Sequence, residues 1–549
     1  EQQSVRDALA ASGREADPSP EGKLIEDFDI VNLDIIEKRD PAPRLLNIIH
    51  TTTRPYVVRR EILLAKGEPF SQVLCDETAR NLRQLHQLSL VACVAERGSR
   101  PDRVRVLVVA KDVWSLRLNS EFRLAAGKIE YLSLHPSEEN LFGAHHGAAL
   151  QFALEPSSYE LGARYVVRRL LGSRVALTAS GGLIFHRDSG DVEGSYGSLS
   201  VGQPLFSTRT QWAWTVPVSW RYEVTRRYVD AAPSFFRGAI PYQYRSHLVA
   251  ATPSITRSFG WALKHDLTAG VEATRRAFVT DDLSGYDPSM ARDFVDRAVP
   301  VGDTRVGPFV QWRSYTTSFL RALEFETLGL QEDFRLGHDL FVRAWPSVEA
   351  IGSSRNVFGV TAGAQYTWPL LDGLARIGIE STNDHDLDRG AISDGLVRAS
   401  TRLMTPRLGF GRIVFDTTWL HRYRNYLNRT TYLGGDGRLR GYPTRYFVGK
   451  DVVAYNLEFR TRAVEILTLQ AGAAVFYDVG DAFDGFGDMR IKHSVGVGLR
   501  ALFPQLDKMV LRVDLGFPLT PGYVPAQGFP GQIIASFGQA FSVPAVAPR

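Results

Sequence analysis

The stretch YLGGDGRLRGYPTRYFVG, residues 432–449, places Arg440 directly before Gly441 and Tyr442 in a glycine-rich loop between segments that alternate like strands. Successive strand side chains point to opposite faces, so the faces that follow the loop can be read directly. Over 453–461 one face is Val453, Tyr455, Leu457 and Phe459, and the other is Ala454, Asn456, Glu458 and Arg460. Over 467–478, Val475 and Tyr477 lie opposite Phe476 and Asp478; over 494–501, Val495, Val497 and Leu499 lie opposite Ser494 and Arg500. Over 508–517, Leu511, Val513, Leu515 and Phe517 lie opposite Arg512 and Asp514.

A soluble sandwich also alternates, apolar in and polar out. Here, however, the polar faces carry Glu458, Arg460, Asp478, Arg512 and Asp514 in mixed sign on neighbouring strands, as a wet lumen crossed by ion pairs would. The apolar faces are aliphatic or aromatic and several end in Tyr or Phe, as a lipid-facing band with aromatic girdles does.

The length of 549 residues calls for at least two parts. A charge of +4 offers no bulk argument for nucleic acid. No apolar run reaches the ~18 residues of a spanning helix, and the mean hydropathy of −0.14 suits a barrel whose strands each face water on one side. Glu1 opens a polar stretch, so a chain already processed is expected. No P-loop, nucleophile elbow or HExxH is present, and no enzyme or cofactor is expected. The run NDHDLDRG has Arg389 where a calcium loop needs Gly, and His145 and His146 are adjacent and so face opposite ways; no metal site is expected.

Residues 1–23 read as a disordered lead. Residues 24–113 read as a unit of order β-α-α-β-β, with strands at 28–37, 89–96 and 103–110 and helices at 54–64 and 71–87, the second capped by Ser71. Its Cys75 and Cys93 are a candidate disulfide pair or two buried thiols. From Leu116 onward the chain is strand after strand, about twenty by raw count. Short turns at 170–174 and 368–373 alternate with long polar loops at about 223–243, 280–304 and 382–394. Residues 305–331 read as one long strand or two. The last strand ends in QIIASFGQAF, with Phe537 and Phe541 on one face, and 542–549 form a short extension.

The order β-α-α-β-β with GEPFSQ before the second helix resembles a POTRA domain, a periplasmic module placed ahead of outer-membrane assembly barrels. Together with LGGDGRLRGY and VFYDVGDAF at 475–483, and a second barrel strand at 128–142 ending in EENLFG, the chain resembles the BamA/TamA/two-partner-secretion superfamily. The resemblance implies a transmembrane β-barrel over 114–541 of about sixteen antiparallel strands. It also implies that Arg440 folds into the lumen against Asp478, that Gly441 gives the tight bend, that Tyr442 packs on the wall, and that the terminal aromatic strand is an insertion signal. Glu458, Arg460, Arg512 and Asp514 are expected to be supporting lumen charges rather than partners of Arg440. The expected location is the outer membrane of a Gram-negative bacterium with the small domain in the periplasm. The expected partners are the lipid bilayer, unfolded clients, and periplasmic lipoproteins or chaperones. The leading function is an insertase that captures client strands at the small sheet and at a weak seam between first and last strands, to which Gly538 and Ala540 lend themselves. A secretion pore and a passive porin are the alternatives.

Overall fold

The computed structural model describes residues 6–7, 9–10, 13–36, 47, 51–125, 127–229, 232–436, 438–522 and 529–540. The N-terminal unit contains β1 (Leu24–Leu33), α1 (Pro55–Glu61), α2 (Gln72–Arg83), β2 (Leu88–Arg97) and β3 (Arg103–Asp112). Its three strands are ordered β1-β3-β2, with β1 parallel and β2 antiparallel to β3. The helices cover one sheet face because Val58, Leu74, Leu82, Val91, Val106 and Val108 alternate or recur at helical spacing and meet in one core.

Cys75 in α2 and Cys93 in β2 form a disulfide with Cα atoms 5.6 Å apart, tying helix to sheet. Ser71 precedes α2 without capping it through its side chain; the Gln72 amide donates instead to Glu21 Oε2 at 2.8 Å. Part of the stretch expected to be a disordered lead is ordered: Ala16 bridges Glu96, and the Asp17 amide donates to Ala95 O at 2.9 Å, so 14–17 covers the outer edge of β2.

The rest closes into one antiparallel barrel in which the last strand, Gln532–Phe537, pairs with β4 (Leu116–Ala125). The number of strands is twenty, counting Gln243–Ala251 with Ser254–Phe259 and Asp451–Thr461 with Val464–Ile466 as single interrupted strands. The raw alternation count therefore stands and the sixteen taken from resemblance is corrected, since a shared loop motif does not fix how many hairpins lie between first and last strands. Residues 382–394 are not a long loop: strands Gly373–Asp386 and Ala391–Met404 run through them to a tight turn. In 305–331 one barrel strand, Asp303–Thr316, is followed by a separate hairpin, Phe319–Leu323 with Gln331–Arg335.

The alternation sorts as the sequence implies. Tyr455, Leu457, Val475, Val497 and Leu499 are exposed on the outer wall, as are Trp212, Trp214, Trp220 and Trp312, while Asn456, Glu458, Asp478, Arg500, Arg512 and Asp514 are buried inside. A continuous apolar belt of this size is unstable in water and is the lipid-facing surface of a barrel.

The small domain sits against one mouth of the barrel, touching several of its turns. Glu77 accepts from the Thr208 amide at 2.6 Å, Arg83 makes a two-pronged pair with Asp333 in the inserted hairpin, and Arg169 donates to Glu61. Lys508 Nζ donates to Arg83 O and Leu85 O, and Thr53 Oγ1 lies 2.8 Å from His145 Nε2 in the turn before His146–Leu154.

His145 makes this docking sensitive to acid. Burial, with Arg168 adding to it and Asp112 opposing it, pushes the imidazole down to about 4, against about 6.5 when free. The docked state then binds fewer protons than the undocked one, so the contribution is full above pH 6.5 and is lost as pH falls toward 4. Energy transfer between dyes on the small domain and the barrel should drop across that window, and His145→Gln should flatten the dependence.

Candidate functional site

The loop after strand Gly411–Asn425 does not project from the barrel. It turns inward, and Arg440 is wholly buried in the lumen. Its Nε and Nη2 donate to the two oxygens of Asp478 at 2.8 and 3.0 Å, and its backbone amide donates to Asp478 Oδ2 at 3.2 Å. A planar guanidinium matches a carboxylate in this paired geometry, which fixes orientation as well as position. The face of the guanidinium lies 3.4 Å from the Phe476 ring centroid, one residue position from Asp478 in the alternation.

Glu458 and Asp514 do more than the sequence reading assigned them. Arg440 Nη1 donates to Glu458 Oε2 and to Asp514 Oδ2, both at 2.9 Å, so the arginine joins three carboxylates on three strands. They were read as background charges because direct contact depends on how far the loop reaches across the lumen, which alternation does not encode. Arg460 then donates to Glu458 at 2.8 Å, Arg500 to Asp514 at 2.6 Å, and Arg512 to Asp514 at 2.9 Å and to Asp436 in the loop at 2.7 Å. The result is a buried lattice of alternating sign in which each added carboxylate has a guanidinium facing it, the condition under which such charges are tolerated out of water.

Arg500 and Asp436 were not singled out from sequence, although Arg500 sits on the polar face and Asp436 in the quoted loop. A second anchor was missed as well: Arg438 pairs with Asp416, which also accepts from Arg402 Nε at 2.7 Å, and Asn456 Nδ2 donates to Arg438 O at 2.6 Å.

Gly441 is required by space and by conformation. Its φ is +99°, and a Cβ there would lie 2.9 Å from Phe517 N. Tyr442 is buried against Phe447 and its hydroxyl donates to His493 O at 2.7 Å on the strand Lys492–Leu502. Beyond it, Glu130 on the second barrel strand accepts from the Thr444 amide at 3.0 Å and from Gln532 Nε2 on the closing strand at 2.9 Å. Phe537 ends the closing strand, paired with Leu511; Phe541 and Gly437 lie outside the described residues.

No family model and no curated protein matches the chain. Among solved structures the chain is similar to BamA from Haemophilus ducreyi lacking POTRA domains 1-3, at 12% identity over 94% of this chain and 83% of that one, TM-score 0.35. It is also similar to CdiB from Acinetobacter baumannii at 10% identity, over 94% and 74% of the two chains with TM-score 0.39, and to CdiB from Escherichia coli at 12% identity, over 94% and 77%, TM-score 0.46.

Removing Arg440 strands Asp478 without a cation, whereas Glu458 and Asp514 keep other arginines. Arg440→Ala should therefore destabilise the folded-in loop by about 3 kcal/mol or more, Asp478→Asn by less, and the double variant by no more than Arg440→Ala. Urea unfolding in detergent checks the stabilities, and planar-bilayer conductance checks whether the loop has left the lumen.

Proposed function

We propose that this chain is an outer-membrane assembly factor, with its small POTRA-like domain in the periplasm, that folds client proteins into the bilayer at the seam between its first and last strands. The observation that carries this reading is the inequality of that seam. Strands Leu263–Val279 and Asp303–Thr316 are joined by fourteen registered pairs, whereas the closing strand meets β4 through four, Gln532↔Ala125 to Ala535↔Phe122. At Gly538, where φ is +99°, the chain turns off the wall. Gln539 and Ala540 are buried inside, accepting from Arg500 Nε and Arg460 Nη2, both at 3.0 Å.

The edge of β4 from Leu116 to Glu121 therefore has no strand partner on the closing side among the described residues. Unpaired backbone groups at membrane depth cost several kcal/mol each unless something pairs with them. An extended client strand supplies those bonds by adding to the edge, and the small domain's sheet, with β1 at its rim, offers an earlier place for the same kind of capture.

A secretion pore needs a passage through the lumen, and the pinned loop and the docked domain stand in its way; this favours the seam as the working surface. Cysteines at Phe122 and Ala535, which face each other across the seam, should lock it when oxidised. In liposomes, the locked protein should lose at least tenfold in the rate at which it accelerates folding of an unfolded barrel client. Reduction should restore that rate, with the parent under the same reductant as reference. An unchanged rate in the locked form would rule the seam out.

A further inference from the structure

Beyond the pinned loop, toward the mouth opposite the small domain, lie two adjoining cavities of about 660 and 370 Å3. Their linings share Arg276, Asp303, Arg422 and Arg429. Some arginines in this part of the lumen are matched: Arg305 with Asp384 at 2.5 Å, Arg343 with Glu272 at 2.6 Å, Arg226 with Glu193 at 2.5 Å. Arg276, Arg422 and Arg429 form no ion pair with any described carboxylate. The acids nearest them are committed elsewhere, Asp303 to Arg305 and Arg355, and Asp394 to Arg355 and the Leu427 amide.

Two further observations point to a missing acceptor. The Nε atoms of Arg422 and of Arg227, both on the larger cavity, are buried with no hydrogen-bond partner among the described residues, a state that costs free energy unless a ligand accepts from them. Burial, reinforced by Arg276 and Arg305 and only partly opposed by Asp394 and Asp384, also pushes the Arg429 guanidinium in the loop down to about 10. The larger cavity is also lined by Tyr131, Tyr228, Tyr242, Tyr244 and Tyr432, with Glu130, Glu155 and Glu160 among them. Over its top α3 (Pro288–Ala298) packs Phe294 against Phe236 and Tyr242, and Asn428 Nδ2 ties the Arg429 loop to Val299 O at 2.8 Å.

We infer that this chamber is a binding site for a small organic phosphate, its phosphoryl group held by Arg276, Arg422 and Arg429 and its ring body lying against the tyrosines. Guanidinium groups pair with phosphate through parallel N–H bonds, and a dianion offsets clustered positive charge where a single carboxylate would not. The cavity exceeds what a bare phosphate fills, and tyrosine faces suit a sugar or base. The site stands independently of the seam and of client insertion.

The test is calorimetric titration of the full chain in neutral detergent with adenosine 5′-monophosphate, inorganic phosphate and adenosine, at ionic strength held constant with sodium chloride. Saturable binding of one monophosphate per chain is expected, with inorganic phosphate weaker and adenosine without saturation. The double variant Arg422→Gln, Arg429→Gln should bind at least tenfold more weakly, while Arg292→Gln on the exposed side of α3 should bind as the parent does. Folding is checked by thermal midpoint: without ligand the double variant should melt at or above the parent, because like charges have been removed, and only the parent should be raised by the monophosphate. Absence of saturation with either phosphate, equal affinity in the double variant, or saturable binding of phosphatidylglycerol micelles with no binding of the monophosphate would each overturn the assignment.

Discussion

Arg440 donates to three carboxylates on three different strands, and the rest of the lumen is arranged around that contact. A buried ion pair adds little net stability, because the desolvation of its members offsets most of their attraction. What it does impose is geometry. Glu458, Asp478 and Asp514 converge on one guanidinium only if their strands keep one register, since a slip of one residue would turn each carboxylate outward into lipid. The loop is therefore held by the wall, and the wall's register is held by the loop.

Much of this was legible because a period of two is local information. The outward Tyr455, Leu457, Val475 and Tyr477 and the inward Glu458, Arg460 and Asp478 follow from their order in the chain, whereas the partner of Asp478 comes from the resemblance of the Arg440 loop and the 475–483 segment to a known family, not from alternation. What alternation cannot supply is reach. Glu458 and Asp514 touch Arg440 because the loop spans the lumen, and Arg438 meets Asp416 for the same reason. The run 382–394 misled because Asp384 and Asp386 suggest a solvated loop, whereas both are buried inside the barrel, where Asp384 faces Arg305. Polar residues on a lumen-facing strand and polar residues in a loop have the same composition.

The inserted hairpin was illegible for a related reason. Phe319–Leu323 and Gln331–Arg335 look like any short strand pair, yet the connection between them folds under the barrel. Glu332 accepts from the Phe325, Glu326 and Thr327 amides, and Phe325 is buried beneath Arg412. Its carboxylate organises that turn as a ligand would, by collecting backbone donors. The lumen thus has three storeys: the hairpin and docked domain at one mouth, the charge lattice in the middle, and the arginine-lined chamber beyond. Arg440 meets carboxylates 18, 38 and 74 positions away and Lys508 meets the small domain across 425, separations that explain both their absence from local pattern and their cost to assemble.

The lattice also reaches the residues that follow the closing strand. Arg460 and Arg500, both engaged with Glu458, also donate to Ala540 O and Gln539 Oε1 just past Phe537. Among the described residues the closing strand ends at Phe537, and its registered pairs with β4 run from Phe122 to Ala125. At the other end of that strand Thr444 and Gln532 share Glu130, on the side where the four registered pairs lie. The charge lattice thus meets the residues beyond one end of the closing strand, and the loop meets its other end at Gln532. Arg440 and Thr444 lie on one loop, so the same segment contacts the charge lattice and, through Glu130, Gln532 of the closing strand.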